Sequence, residues 1–175
     1  MRVIKTDIEG VVIIEPEVFG DSRGYFMESF SQRVFDREVA PVCFVQDNRS
    51  YSRYGVVRGL HYQREPYAQS KLVSCVVGKV LDVAVDIREG SPTYGKHVAV
   101  ELSAENHRQL FIPKGFAHGF VVLSEEALFE YKCDEFYHPE AECGIAWDDP
   151  NIGIDWRVPK GDVILSAKDA NYKKL

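Results

Sequence analysis

Short apolar segments rich in Val, Ile, Phe and Tyr recur along the whole chain, and Gly, Pro, Asp or Asn repeatedly interrupts them. They include VVIIEPEVF, KLVSCVV, KVLDVAVDI, HVAVEL, GFVVL and ALFEYKC. Apolar segments of about four to eight residues that are bounded by turn residues are typical of strands, whereas most helices need longer periodic patterns. Many short strands with close turns form sandwiches or barrels, so the sequence predicts an all-β fold.

One of these segments, LDVAVDI, shows a clear two-residue period. Leu81, Val83 and Val85 share one face of a strand, while Asp82 and Asp86 share the other. We therefore expect a sheet with one apolar face and one partly polar face, which either lines a wet cavity or meets solvent. The preceding VVGKV segment, around residue 78, is predicted to form a tight hairpin turn.

Helix signals are few. The segment SQRVFDREVA has Ser31 as a candidate N-cap, apolar side chains at Val34, Phe35 and Val39, and Pro41 directly after it. It is predicted to be a helix, and SAKDANY near the C-terminus is predicted to add one further turn. No repeat or linker divides the 175 residues, so a single domain over 1–175 is expected.

The composition excludes several classes of function. A formal net charge of −6 argues against a broad electrostatic surface for nucleic acid. No apolar stretch reaches the roughly 18 residues that a membrane span needs, and the N-terminus has no signal-peptide pattern. The four cysteines, Cys43, Cys75, Cys133 and Cys143, show no C-x-x-C spacing, which favours buried reduced thiols and a reducing cytoplasm over disulfides or zinc.

The segment VVRGLHYQ places a cation and a histidine in an otherwise apolar and aromatic strand. Strict alternation would send Arg58 and His61 to opposite faces of the sheet. Gly59 lies between them, and a bulge or a twist there could bring both side chains into one cavity. On this segment alone, a structural histidine with satisfied ring nitrogens remains the alternative.

Polar side chains in other strand-like segments strengthen the case for a cavity. A single polar residue in an apolar strand is usually at an edge or already satisfied, but several in separate strands are better explained by a shared pocket. The polar residues in question are Arg23, Glu28, Gln46, Asn48, Lys71, His118 and Tyr131, and Phe26 shares the strand face of Glu28.

Five segments together, GVVRGLHYQ, VFGDSRGYFMESF, FVQDNRS, IPKGFAHGF and ILSAKDA, resemble the dTDP-4-dehydrorhamnose 3,5-epimerase family. The resemblance extends in order from about residue 3 to about residue 170. It implies a cupin-type jelly roll and proton transfer at the carbons next to a sugar ketone. It also implies a homodimer whose N-terminal strands extend the partner's sheet.

The resemblance implies four catalytic residues. His61 would be the base, which suits an imidazole because it titrates near neutral pH, and Asp169 would orient it. Tyr131 would return a proton on the opposite face of the sugar, and Lys71 would hold the C4 oxygen. The residues alone leave open a surface carboxylate for Asp169, a core aromatic for Tyr131 and a strand-end lysine for Lys71.

The substrate implied by the resemblance is a dTDP-linked 4-keto-6-deoxy sugar. Arg23 and Arg58 would bind the diphosphate, since a guanidinium matches phosphate oxygens bidentately. The other implied binding residues are Phe26, Glu28, Gln46, Asn48, His118, Glu142 and Lys168. For Glu142 and Lys168 the matching segments are thin, and a solvated surface charge remains an alternative.

The pattern of metal-binding cupins is incomplete in this chain. Such proteins offer H-x-H with a later carboxylate and a further histidine, but here Gln63 follows His61, although His118 stands where the last ligand would be. We therefore predict an enzyme with no metal and no cofactor. The alternatives are an epimerase acting at one carbon of a related nucleotide sugar, a metal-dependent cupin enzyme and a non-catalytic sugar-binding module.

Overall fold

The computed structural model describes residues 1–175 and consists almost entirely of antiparallel strands. The strands are β1 (Arg2–Lys5), β2 (Val12–Glu15), β3 (Val18–Asp21), β4 (Gly24–Met27), β5 (Gln46–Arg53), β6 (Val57–Gln63), β7 (Lys71–Val77), β8 (Lys79–Asp86), β9 (His97–Ser103), β10 (Gln109–Ile112), β11 (Phe116–Val122), β12 (Glu126–Cys133) and β13 (Glu142–Gly144). A six-stranded sheet has the order β1-β2-β10-β7-β12-β5, and a five-stranded sheet has the order β13-β6-β11-β8-β9. Strands β3 and β4 pair only with each other and form a separate arm.

The two large sheets pack face to face, which confirms the all-β, jelly-roll prediction. Their inner faces share one apolar cluster that includes Val73, Leu110, Phe120 and Phe129. Each fully buried side chain of this size contributes about 1.5–3 kcal/mol relative to an exposed one. This apolar cluster fills one part of the space between the sheets, and polar side chains line the other part.

Part of the outer face of each sheet is covered as well. The C-terminal segment packs Ile152 and Trp156 against the outer side of the five-stranded sheet. The helix α1 (Gln32–Glu38) packs Phe35 against Leu72 and Phe111 on the outer side of the six-stranded sheet. The helix prediction is confirmed, and the predicted C-terminal turn is a single 3₁₀ turn over Asp169–Asn171.

The hairpin predicted around residue 78 is wrong. Strands β7 and β8 lie in different sheets, so Gly78 turns a corner that carries the chain from one sheet to the other. Its φ of +75° favours glycine, and a Cβ there would lie 1.9 Å from the carbonyl oxygen of Glu126. A corner between sheets and a hairpin need the same kind of residue, which is why the local sequence does not distinguish them.

The two faces of β8 differ as predicted, but neither is exposed. Leu81 and Val83 face the cluster covered by the C-terminal segment, while Asp82 and Asp86 are fully buried. Asp86 accepts hydrogen bonds from Arg88 and from two hydroxyl groups of the following loop. Asp82 faces the space between the sheets, where the polar side chains gather.

All four cysteines are free thiols, and the predicted burial is right for two of them. Cys75 and Cys133 are buried free thiols, whereas Cys43 is exposed and Cys143 is half-buried. Burial raises the pKa of both Cys75 and Cys133 to about 11, which makes these thiols poor nucleophiles at neutral pH. None of the helices has the length and apolar character that a membrane crossing requires.

Candidate active site

A bulge at Gly59 brings Arg58 and His61 to the same face of β6. In the pairing with β11, His61 lies opposite His118 and Arg58 lies opposite Phe120, so two residues of β6 face the single Gly119. Directly paired residues share a face, and His118 and Phe120 both face inward. The bulge predicted from the sequence is therefore confirmed.

Glycine is required at this bulge for two reasons. Gly59 has a φ of +130°, a region that side-chain-bearing residues rarely adopt. A Cβ at this position would also lie 2.5 Å from Cα of Gly119 and 2.8 Å from the carbonyl oxygen of His118. The two strands thus approach closely where the cation and the histidine turn into the cavity.

His61 forms a pair with Asp169. Its Nε2 lies 2.5 Å from Oδ1 of Asp169, and the hydroxyl of Ser166 donates one hydrogen bond to Oδ2. Burial alone would raise the pKa of Asp169, but the hydrogen bonds and the charge of the imidazole outweigh it, and the pKa is lowered. The carboxylate is therefore ionised beside the ring, and the other ring nitrogen, Nδ1, stays free for a substrate.

The opposite wall of the cavity comes from the six-stranded sheet. Tyr131 on β12 and Lys71 at the start of β7 face inward, and the ammonium of Lys71 lies 5.9 Å from the centre of the Tyr131 ring. Burial raises the pKa of Tyr131 to about 12, and burial lowers the pKa of Lys71 despite the acidic groups nearby. The phenol of Tyr131 therefore keeps its proton, and the positive charge of the Lys71 ammonium is only partly balanced by the acidic groups nearby.

A second histidine and aspartate pair, which the sequence analysis missed, lies behind the first. Nε2 of His118 is 2.8 Å from Oδ1 of the fully buried Asp82, and Oδ2 of Asp82 has no hydrogen-bond partner. Burial lowers the pKa of His118, although Asp82 opposes this shift. The alternation of LDVAVDI put Asp82 on the polar face but gave no signal for its partner.

Further polar side chains form the rim. Arg58 donates a hydrogen bond from Nε to Ser52 on β5, and Gln46 donates one from its amide to Asn48. Lys168 forms a short ion pair with Glu142, which supports a joint site over two isolated surface charges. Burial would raise the pKa of Glu142, but the bonds from Lys168 and from the hydroxyl of Tyr137 lower it.

Tyr137 is a rim residue that the sequence analysis missed. Its hydroxyl donates to Glu142 at 2.6 Å, and its backbone N–H donates to Gln46 at 3.0 Å. Its ring is nevertheless half exposed, so one aromatic face remains available at the entrance. A tyrosine in a loop carries no periodic signal, which is why its position could not be read from the sequence.

Comparison with known proteins decides the family. The family model described as dTDP-4-dehydrorhamnose 3,5-epimerase matches residues 5–175. The chain belongs to the dTDP-4-dehydrorhamnose 3,5-epimerase family.

Curated relatives and solved structures agree with this assignment. The dTDP-4-dehydrorhamnose 3,5-epimerase of Shigella flexneri is 62% identical over 100% of this chain and 96% of its own length. The epimerase structure from Elizabethkingia anophelis NUHP1 superposes with a TM-score of 0.95 at 52% identity, over 99% of this chain and 96% of that one. The structure from Legionella pneumophila Philadelphia 1, solved in complex with dTDP-4-keto-L-rhamnose, gives a TM-score of 0.95 at 53% identity, over 99% and 92%.

Three residues that the family resemblance assigns to substrate binding lie away from this cavity. Arg23, Phe26 and Glu28 are on or next to the β3–β4 arm, which is not part of either large sheet. Phe26 is 71% exposed, and Arg23 makes its hydrogen bonds to Asp21 of the same arm. Strands β1 and β2, which the resemblance implies to extend a partner's sheet, form one edge of the six-stranded sheet of their own chain.

The metal ligands of other cupins have no counterpart as a cluster in this epimerase-family chain. No group of three or more His, Cys, Asp or Glu side chains is arranged to hold a metal ion. His61 and His118 are cross-strand neighbours, but each uses Nε2 on its own aspartate. Gln63, at the position of a second ligand, donates instead to the backbone carbonyls of Tyr67 and Phe136.

Proposed function

We propose that the chain inverts C3 and C5 of dTDP-4-dehydro-6-deoxy-D-glucose to give dTDP-4-dehydro-L-rhamnose, with no cofactor. The observation that carries the proposal is that His61, paired with Asp169, comes from one sheet and Tyr131, with Lys71 beside it, comes from the opposite sheet, and all of them face one cavity. The family assignment supports the same reaction.

The reaction follows from the acidity of hydrogens next to a ketone. The free nitrogen of His61 takes the proton from C3 or C5, and the electron pair of the broken C–H bond moves onto the C4 oxygen to form an enolate. The ammonium of Lys71 stabilises that oxyanion. Tyr131 then gives a proton to the same carbon from the opposite face, and the imidazolium and the tyrosinate are restored by exchange with solvent.

The electrostatics of the cavity suit each step. The ionised Asp169 stabilises the imidazolium that forms when His61 accepts a proton. Because burial raises the pKa of Tyr131, its hydroxyl keeps its proton until a strong base such as the enolate is present. Burial deprives the ammonium of Lys71 of water, and a negative oxygen of the substrate would replace that lost solvation.

The rim residues are placed to hold the rest of the substrate. Arg58 would bind the diphosphate, and Gln46 and Asn48 offer amides next to it on β5. The half-exposed ring of Tyr137 provides a flat surface on which thymine can stack. The remaining proposed contacts come from His118, Glu142 and Lys168.

The position of the arm favours a homodimer with shared sites. The sequence resemblance assigns Arg23, Phe26 and Glu28 to the substrate site, yet they are on or next to an exposed arm that carries Phe19, Tyr25 and Phe26 into solvent. Exposed aromatic side chains in such number are typical of an interaction surface. In the proposed dimer, each arm delivers these residues to the partner's cavity.

Complementation between two inactive variants tests this arrangement. If the arm acts on the partner, mixing Arg23→Ala and His61→Asn chains restores one complete site in each mixed dimer, and activity returns. If both residues serve the same chain's cavity, the mixture stays inactive. Light scattering on each variant checks the dimer in parallel.

Incubation of the purified chain with dTDP-4-dehydro-6-deoxy-D-glucose, followed by NMR of the product, tests the reaction. Inversion at both carbons is expected. Inversion at one carbon would support the single-carbon epimerase, and loss of activity with a chelator would support a metal-dependent enzyme. Absence of any conversion would leave a binding module.

A cytoplasmic location remains part of this proposal because the enzyme keeps free thiols, one of them exposed.

A further inference from the structure

Tyr172 packs against the imidazole of the proposed base, His61. Its ring meets the ring of His61 edge to face, with centroids 5.7 Å apart and an interplanar angle of 69°. Tyr172 follows the 3₁₀ turn that presents Asp169, so one short segment brings both side chains to the same imidazole. The carboxylate binds Nε2 of the ring, and the aromatic ring packs against the imidazole itself.

The fold makes room for Tyr172 at this position. Gly144 on β13 lies directly opposite His61 on β6. A Cβ at Gly144 would lie 2.3 to 2.6 Å from three atoms of the Tyr172 ring. The tyrosine ring therefore lies directly on the backbone beside His61, and any larger residue at 144 would push it away.

The segment that carries Tyr172 is fastened on its far side. The backbone N–H of Ala146 donates to the carbonyl of Lys173 at 2.8 Å. The N–H of Leu175 donates to the buried carboxylate of Asp149 at 2.6 Å. Tyr172 thus lies between the Asp169 turn and two further hydrogen bonds, so its backbone is held on both sides.

The hydroxyl of Tyr172 contributes little to this arrangement. It is buried and makes no hydrogen bond of ordinary geometry, and the Lys168 ammonium approaches closely enough for a weak interaction that by itself lowers the pKa of the hydroxyl. Burial raises the pKa of Tyr172 more than Lys168 lowers it, so the group is a neutral phenol. The ring, and not the hydroxyl, is the part that contacts His61.

We infer that Tyr172 is a positioning residue for the epimerisation: its ring packs against the His61 imidazole and fixes the plane of that ring, while Asp169 fixes one nitrogen. A single hydrogen bond leaves the imidazole free to rotate about that bond. Proton abstraction from carbon needs the free nitrogen aligned with one C–H bond, and a misplacement of about 1 Å can cost about 100-fold in rate. This inference rests on the proposed role of His61 as the base.

Four variants separate the ring from its hydroxyl and from general stability. Tyr172→Leu removes the ring, Tyr172→Phe keeps it, and Gly144→Ala displaces it without changing Tyr172. Phe44→Leu is the matched control because Phe44 meets Phe30 in a similar edge-to-face contact, at 5.5 Å and 72°, away from the cavity. The readouts are kcat and KM for the sugar nucleotide, dTDP affinity by calorimetry, and folding by circular dichroism.

We expect Tyr172→Leu and Gly144→Ala to lose about tenfold or more in kcat, with dTDP affinity unchanged within about twofold. Tyr172→Phe should restore kcat, and Phe44→Leu should leave it unchanged. The inference is overturned if Tyr172→Leu keeps the wild-type kcat, if Tyr172→Phe loses as much as Tyr172→Leu, or if Phe44→Leu loses as much as either. If the wild-type chain converts no substrate, the proposed function fails, and this inference fails with it.

Discussion

Replacing Gly59 with alanine tests whether the bulge in β6 creates the active site. The new Cβ would lie 2.5 Å from Cα of Gly119, whereas ordinary contacts begin at 3.4 Å, so β6 and β11 must separate by about 1 Å. Overpacking of this kind costs about 1–3 kcal/mol. The φ of +130° adds about 1–3 kcal/mol of backbone strain. We therefore expect a loss of about 2–6 kcal/mol in the free energy of unfolding.

Catalysis should fall as well, because the displaced backbone carries His61 and faces His118. A shift of about 1 Å in the base predicts a loss of about 100-fold in kcat/KM. Gly24→Ala is the matched control for stability: Gly24 has a φ of +133°, but nothing lies within 4 Å of the position of its Cβ. Gly24→Ala should therefore lose only the backbone-strain contribution to the free energy of unfolding, about 1–3 kcal/mol.

Denaturant unfolding of both variants and the coupled epimerase assay give the comparison. The difference in unfolding free energy between Gly59→Ala and Gly24→Ala measures the clash separately from the strain. Equal stability of the two variants, together with near-normal activity of Gly59→Ala, would refute the claim that close strand approach at the bulge builds the site.

Three further predictions follow from the cavity. Lys71→Met should abolish turnover yet raise the free energy of unfolding by about 1–3 kcal/mol. The lowered pKa of Lys71 shows that burying its charge is unfavourable, and an apolar side chain avoids that cost. Denaturant unfolding measures the change in stability. Tyr131 should stay un-ionised up to about pH 11 in an ultraviolet titration, because its pKa is about 12, and an earlier transition that Tyr131→Phe removes would contradict this. The pKa of Asp169 is lowered in the folded protein, so its carboxylate stabilises the fold fully above the ordinary carboxyl pKa and loses this effect as pH falls through the folded value. The difference in unfolding free energy between wild type and Asp169→Asn should therefore hold from pH 7 to about 5 and shrink below about pH 4. A difference that grows in acid would contradict this prediction.

Patterns with a short range were enough to predict much of the fold. Short apolar segments bounded by turn residues located many of the strands, and the apolar spacing before Pro41 located the helix, although Ser31 at its N-cap makes no side-chain capping hydrogen bond. The glycine between Arg58 and His61 predicted the bulge, because only a break in alternation could reconcile two polar residues three positions apart. In each case the deciding information lay within a few residues of the chain.

The parts that could not be predicted depend on contacts between distant segments. Gly78 has the turn chemistry of a hairpin, yet its strands join different sheets. The partner of Asp82 is His118, 36 residues away, and the sequence gives no pairing between them. Tyr172 lies near the C-terminus, and the sequence gives no sign that it packs on Gly144 beside His61.

The same limit applies to the arm. Arg23, Phe26 and Glu28 resemble binding residues in sequence, but one chain by itself keeps them outside the cavity. Whether they complete a site depends on a second chain, which no periodicity within one sequence describes.

Deuterium exchange from solvent into the sugar tests the central claim most directly, because it separates removal of a proton from its return. In D₂O the wild type should place deuterium at C3 and C5 of the inverted product, and His61→Asn should place none at either carbon. Tyr131→Phe should still exchange, since His61 can return a deuteron to the face from which it took the proton, but should yield little inverted product. Undiminished exchange by His61→Asn would contradict the account.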